Sequence, residues 1–379
     1  MSSPIPVIIL SLIASANSTC AWSASCLMFT RKLMFSYLES QPVNTIRTIR
    51  LVVGLGAAIA IAFGFNWPLA FLCPVLASKF LATDKPKVPF KTLGNIFLIV
   101  VVAFSSGILV TRFLLPFPVV FMLVTLILIF WLSYWSHSGG NEFVITMLLI
   151  GFTIIPLLAL LHQAVVIEVT YGFIFSCLMA LMITMMAHEI IPDKPGTSYV
   201  NAQKAAQAER NLPKQTRLQL AFLSTIIIMP VLSMFLLMDL SNAILVLVFV
   251  AILAQKPDLL VGIQGAKALL VGNTIGGIFA MLMYATLVMV PQYSFLILLF
   301  LLLFLFFGKL IFSERPLAPL YAMGMTTVII LVSSATLGNA DADEKFYTRI
   351  IQVAMACGYI IFATMLTRPY LDKIQTSAP

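Results

Sequence analysis

The chain has 379 residues, 61% of them hydrophobic and only 9% charged, and a formal net charge of +8. Soluble domains carry roughly a quarter charged residues, and a water-soluble fold of this composition would expose large apolar patches, so a soluble globular protein is excluded. The excess positive charge lies in short stretches between apolar runs, where it sets membrane orientation, and a nucleic-acid partner is not expected.

Inside a bilayer every backbone polar group must pair within the fold, which leaves helices or a closed barrel. Long apolar runs without strict alternation favour helices, and about 20 residues are needed for one crossing. Residues 4–30 are apolar, with Arg31 and Lys32 after them. A signal peptide carries its positive charge before the apolar run. Two readings of residues 1–33 stand: an extra outside-to-inside helix, or a chain that begins at Met28 or Met34. Six spans follow at residues 46–65, 68–81, 92–114, 117–135, 143–161 and 165–187. A polar linker covers residues 188–217. Six more spans follow at residues 218–238, 243–254, 268–290, 295–312, 317–336 and 347–366. Asn66-Trp67-Pro68, Asp84-Lys85-Pro86, Ser138-Gly139-Gly140-Asn141 and Pro291-Gln292 break the apolar runs.

The charges test this list. With residues 31–50 placed in the cytoplasm and twelve crossings after them, all of the 22 Lys and Arg fall inside except Arg112, Lys345 and Arg349. One span too many or too few would scramble that pattern. Six crossings is an even number, so each set of six begins and ends in the cytoplasm, as in parallel repeats related by an axis along the membrane normal. The expected fold is an all-α polytopic membrane protein of about twelve transmembrane helices in two parallel six-helix repeats. Its expected segments are an N-terminal stretch and lead-in (1–44), the first repeat (45–187), a cytoplasmic linker (188–217), the second repeat (218–367) and a cytoplasmic tail (368–379).

In both sets the second span is short, and residues 68–81 contain Pro74. Short or interrupted spans in matching positions point to a transport pathway. Lys79 lies near the inner end of the first short span, and Arg50 and Arg217 open the two repeats. With Lys267 these form a candidate basic inner mouth that would bind substrate anions. Glu168 and Asp239 are candidates for proton coupling, because ionisable groups in or beside a membrane are costly and often functional. Arg112 and His162 share that boundary zone. The stretch Gly272-Asn273-Thr274-Ile275-Gly276-Gly277, with Gly94-Asn95 as its counterpart, is read as close helix packing by Gly94, Gly272, Gly276 and Gly277.

Other chemistries find no footing. The cysteines, Cys20, Cys26, Cys73, Cys177 and Cys357, form no CxxC pair, and His137, His162 and His188 are scattered. Neither a metal site nor a cofactor is expected. The phosphate-binding GxxxxGK[ST] loop and nucleophile motifs are absent, so the chain is not read as an enzyme.

Arg47-Thr48-Ile49-Arg50-Leu51-Val52-Val53-Gly54, followed by Phe65-Asn66-Trp67-Pro68-Leu69-Ala70, resembles the opening of the fusaric acid resistance family, which includes bacterial aromatic carboxylic acid exporters. The segment from Gly272 to Gly277 is similar to the family's third span, and the resemblance runs from about Thr45 to Thr367. It implies a multi-pass component of the bacterial inner membrane. That component would export aromatic carboxylates on the proton motive force, together with a periplasmic membrane-fusion adaptor. The plant aluminium-activated malate channels, which conduct anions between two six-helix halves, look distantly related, and a passive anion channel is the alternative. Longer members carry a soluble domain, whereas this chain resembles a short all-membrane branch. Its implied partners are a small organic anion and the lipid bilayer, besides the adaptor.

Overall fold

The computed structural model describes residues 41–82, 90–161, 163–192, 213–238, 259–313 and 318–337, with single residues between 351 and 367. Ten helices run through these segments: α1 (Val43–Phe65), α2 (Leu72–Leu81), α3 (Phe90–Leu114), α4 (Pro118–His137), α5 (Glu142–Leu161), α6 (Gln163–Ile190), α7 (Lys214–Met238), α8 (Leu259–Met289), α9 (Tyr293–Ile311) and α10 (Ala318–Leu337). Among the described residues there is no strand. Eight of these helices, all but α2 and α10, are long and apolar enough to cross a membrane.

The span boundaries follow the apolar runs, with three differences. α8 begins at Leu259, ahead of the predicted 268, so Lys267 lies inside the helix rather than before it. His188 and Arg217, read as linker ends, are helical, because α6 continues to Ile190 and α7 starts at Lys214. Once past the hydrocarbon a helix needs no apolar side chains, so composition stops marking its end. The expected span 243–254 lies outside the described residues, and Tyr359 and Ala363 stand for the last one.

α1 is the centre of the larger core. Leu51, Leu55, Ala58, Ile59 and Ala62 are buried at helical spacing. Its glycines let neighbours in: a Cβ on Gly54 would meet the end of Leu81 on α2 at 2.5 Å and the Ala187 methyl on α6 at 3.2 Å. α1 also packs along α9, with Thr48 against Gly308. α2 packs on α6, α1 and α10; α3 pairs with α5, and α8 with α10. A second, smaller core joins α4, α5 and α7 with Ala363, and α7 packs mainly along α4. Large apolar side chains such as Leu98, Phe113, Phe117, Trp131 and Ile167 remain exposed on the helix exteriors. Four buried threonines, Thr111, Thr153, Thr184 and Thr225, donate their hydroxyls to the carbonyl four residues back. Their polarity is thereby satisfied within an apolar interior.

Candidate functional site

The short second span is broken. α1 closes at Asn66, which takes the left-handed conformation (φ 44°) and donates its amide to Ala62 O at 3.0 Å. Leu69 is also left-handed (φ 57°), a conformation that costs a branched residue energy. Helix resumes only at Leu72, and α2 is 10 residues long, about 15 Å at 1.5 Å per residue, against a hydrocarbon core of about 30 Å. α6 holds the turn in place. Trp67 Nε1 donates to Ser176 Oγ at 2.8 Å, and that hydroxyl donates to Leu69 O at 3.1 Å. Gly172 lies against the Pro68 carbonyl, where any Cβ would collide. An irregular turn against an apolar bundle is tolerated when protein covers it and its polar groups are paired. α6 provides both.

The proposed cations are spread over several helices. Arg50 is buried on α1, 3% exposed, four residues before Gly54 and its contact with Leu81. Lys79 is exposed on the last turn of α2. These two share one end of the α1–α2 pair. Arg217 is half-buried in the first turn of α7, the helix that packs mainly along α4. Arg50, Lys79 and Arg217 each make a polar, ring or electrostatic contact, so none is a bare charge. Lys267 is carried on α8, with its side chain outside the described part. Glu168 is exposed on α6, and Asp239 lies outside the described residues. Near this end of α2, Ser78 Oγ lies 3.5 Å from Thr326 Oγ1 of α10.

Small residues set the closest helix approaches. On α8, Cβ atoms at Gly272 and Gly276 would run into α10: the first 3.0 Å from Leu320 O, the second against Gly324 O and 2.8 Å from Thr327 Cβ. Asn273 accepts from Thr327 Oγ1 at 2.9 Å, buried in the same seam. Gly277 is buried beside them. Gly94 does not play the matching part on α3: it is exposed, and a Cβ there meets nothing within 4 Å. The approach on α3 is made one face over and further along. Cβ atoms on Gly107 and Gly151 would come within 2.6 Å of Gly151 O and 2.8 Å of Ala103 O. The Ala103-x-x-x-Gly107 spacing was the sequence signal for it.

Where α3 ends and α6 begins, a cavity of about 630 Å³ opens between α3, α5 and α6. Arg112 is at its rim and donates through Nη1 to Gln163 Oε1 at 3.0 Å. Between α4 and α7, buried His137 Nε2 lies 3.3 Å from Ser224 Oγ. Among the described residues no group of three or more His, Cys, Asp or Glu is placed to hold a metal ion.

Apolar exteriors, eight spanning-length helices and a protein-covered helix break define a multi-pass α-helical membrane protein. A family model described as "Protein of unknown function (DUF2955)" matches residues 47–187. That stretch runs from the first turns of α1 into the last turn of α6. No curated protein and no solved structure matches the chain.

Proposed function

We propose that the chain is an inner-membrane secondary transporter of bacterial type that exports organic or aromatic carboxylate anions. It would be the pump of an efflux system driven by the proton motive force and would work with a periplasmic membrane-fusion adaptor. The observation that carries this reading is the pairing of the helices. Exchange each span with its counterpart six crossings later: α1 with α7, α3 with α8, α4 with α9 and α5 with α10. The α3–α5 pair becomes α8–α10, and the α1–α9 pair becomes α7–α4, and all four pairs are present. A two-fold relation between parallel six-helix repeats requires that invariance, and the family match over 47–187 has bounds close to those expected for the first repeat. The short α2 touches α10, a helix of the second set of six, and short spans in matching positions of two halves point to a transport pathway.

Buried Arg50 and the exposed Lys79 lend this junction positive charge, which would draw carboxylates to it. An anion leaving water needs such compensation, and a guanidinium meets a carboxylate with two parallel donors. The test is efflux of labelled hydroxybenzoate from cells with matched protein levels. Arg50→Gln and Arg217→Gln should lower efflux, while Lys85→Gln and Lys194→Gln should not. Equal efflux in all four rejects the basic mouth. In liposomes, an anion flux that follows the membrane potential and ignores the pH gradient would replace the exporter by a passive channel.

A further inference from the structure

The cavity between α3, α5 and α6 has a two-part wall. Ile108, Ile155, Val166 and Ile167 form an apolar side, and Arg112 with Gln163 forms the polar rim. Thr111 also lines it, but its hydroxyl is committed to Gly107 O at 2.7 Å. A guanidinium can only donate, so in the Arg112–Gln163 bond the carboxamide oxygen must be the acceptor. The carboxamide NH2 of Gln163 is then left as a second donor beside the remaining donors of Arg112. Among the described residues no carboxylate lines the cavity. The result is a rim whose side chains offer several donors above an apolar wall, in a volume typical of small-ligand pockets.

We propose that this cavity binds an amphipathic anion, its charged group on Arg112 and Gln163 and its apolar body against Ile108, Ile155, Val166 and Ile167. The charge pattern of the chain puts this end of the bundle outside, so the site is an external one, distinct from the basic residues at the other end. Two sources share the chemistry: a free aryl carboxylate or the head of an anionic lipid. The expectation of a carboxylate solute rests on the exporter reading, whereas the anion site itself does not.

The experiment is equilibrium binding of tritiated 1-naphthoate, with its methyl ester as the uncharged comparator, to the full chain in phosphatidylcholine nanodiscs. Arg112→Gln should weaken naphthoate binding by about tenfold or more while leaving the ester unchanged, and Arg112→Lys should stay within about threefold of the parent. Ala159→Phe, which fills the cavity without touching the charge, should weaken both ligands. A folded Arg112→Gln chain that binds naphthoate as the parent does, or an Ala159→Phe chain that binds both ligands normally, overturns the proposal. Replacing part of the phosphatidylcholine by phosphatidylglycerol separates the sources. Unchanged naphthoate affinity assigns the site to the free solute, and a loss that Arg112→Gln does not show assigns it to anionic lipid; either keeps the anion site. A chain that binds naphthoate but exports nothing keeps this site and loses the exporter. A chain that still exports but binds naphthoate equally with or without Arg112 loses only the site.

Discussion

Gly276 and Gly94 look alike in the sequence, each a glycine early in a third span, and replacing each by alanine should move stability in opposite directions. At Gly276 the new methyl would collide with the carbonyl oxygen of Gly324 and stand 2.8 Å from Thr327 Cβ and 3.0 Å from the Gly324 carbonyl carbon. Backbone and a branched Cβ cannot swing aside, so α8 and α10 must separate. Overpacking of this kind costs about 1–3 kcal/mol. Separation also stretches the buried Thr327–Asn273 hydrogen bond, now 2.9 Å, and interhelical bonds of this type are worth about 0.6 kcal/mol on average. Alanine's better helix propensity returns at most about 1 kcal/mol. The net is a loss of about 1–3 kcal/mol. At Gly94 a methyl meets nothing within 4 Å, and only the propensity gain remains. The assay is the temperature at which the detergent-purified chain loses its monodisperse elution peak. At roughly 1–2 °C per kcal/mol for a chain of 379 residues, Gly276→Ala should fall by about 1–4 °C and Gly94→Ala should hold or rise. Because such unfolding is irreversible, the two are compared at one heating rate. Equal shifts in the two variants would refute the close-approach argument.

Two further outcomes test the polar pairs by the same assay. Ser176→Ala removes the hydroxyl that accepts from Trp67 and donates to Leu69 O. It should cost about 1–2 kcal/mol, whereas Ser313→Ala, whose hydroxyl donates to Leu310 O within its own turn, should cost much less. Equal losses would mean that α6 does not hold the helix break. For His137 and Ser224, the double-mutant cycle with alanine should give a coupling of about 0.6 kcal/mol. Additive effects would remove that hydrogen bond as a link between α4 and α7.

Much of the span list was legible because apolar length alone decides whether a segment can cross a bilayer. The short second span is readable from Pro68 before it and the basic residues behind it, and α2 is a half-length helix; Pro74 does not interrupt it, because it falls in the first turn of α2, where a missing N–H costs nothing. The start of α8 was not readable. Leu259 to Lys267 mixes apolar residues with Gly262, Gln264, Gly265 and Lys267, a composition that suits a helix outside the hydrocarbon as well as a loop. The glycine stretch on α8 reads as packing in the sequence, whereas the Gly94-Asn95 likeness points to the wrong place on α3. Ala103 and Gly107 hold the matching place. The step from Phe90 to Gly107 equals that from Leu259 to Gly276, an equivalence visible only once the helix starts are known.

Which helix meets which is a different kind of information. Between helices in lipid there is little hydrophobic drive, so small residues and polar pairs choose the partners. Trp67 with Ser176, His137 with Ser224 and Thr327 with Asn273 each join distant helices. One sequence shows these residues but not their matches, since any buried hydroxyl is a chemically adequate partner for any other. Charges behave oppositely. Each acts on the membrane field by itself, so their distribution gives orientation without any knowledge of contacts. Arg112 falls between the two cases. By charge count it is an exception to the inside bias, a cation at the end of α3 that topology does not require. In space it has a specific neighbour, Gln163, and a cavity whose described residues include no carboxylate. A cation that orientation does not explain and that sits at the rim of a ligand-sized cavity is better accounted for by what it binds than by where it steers the chain.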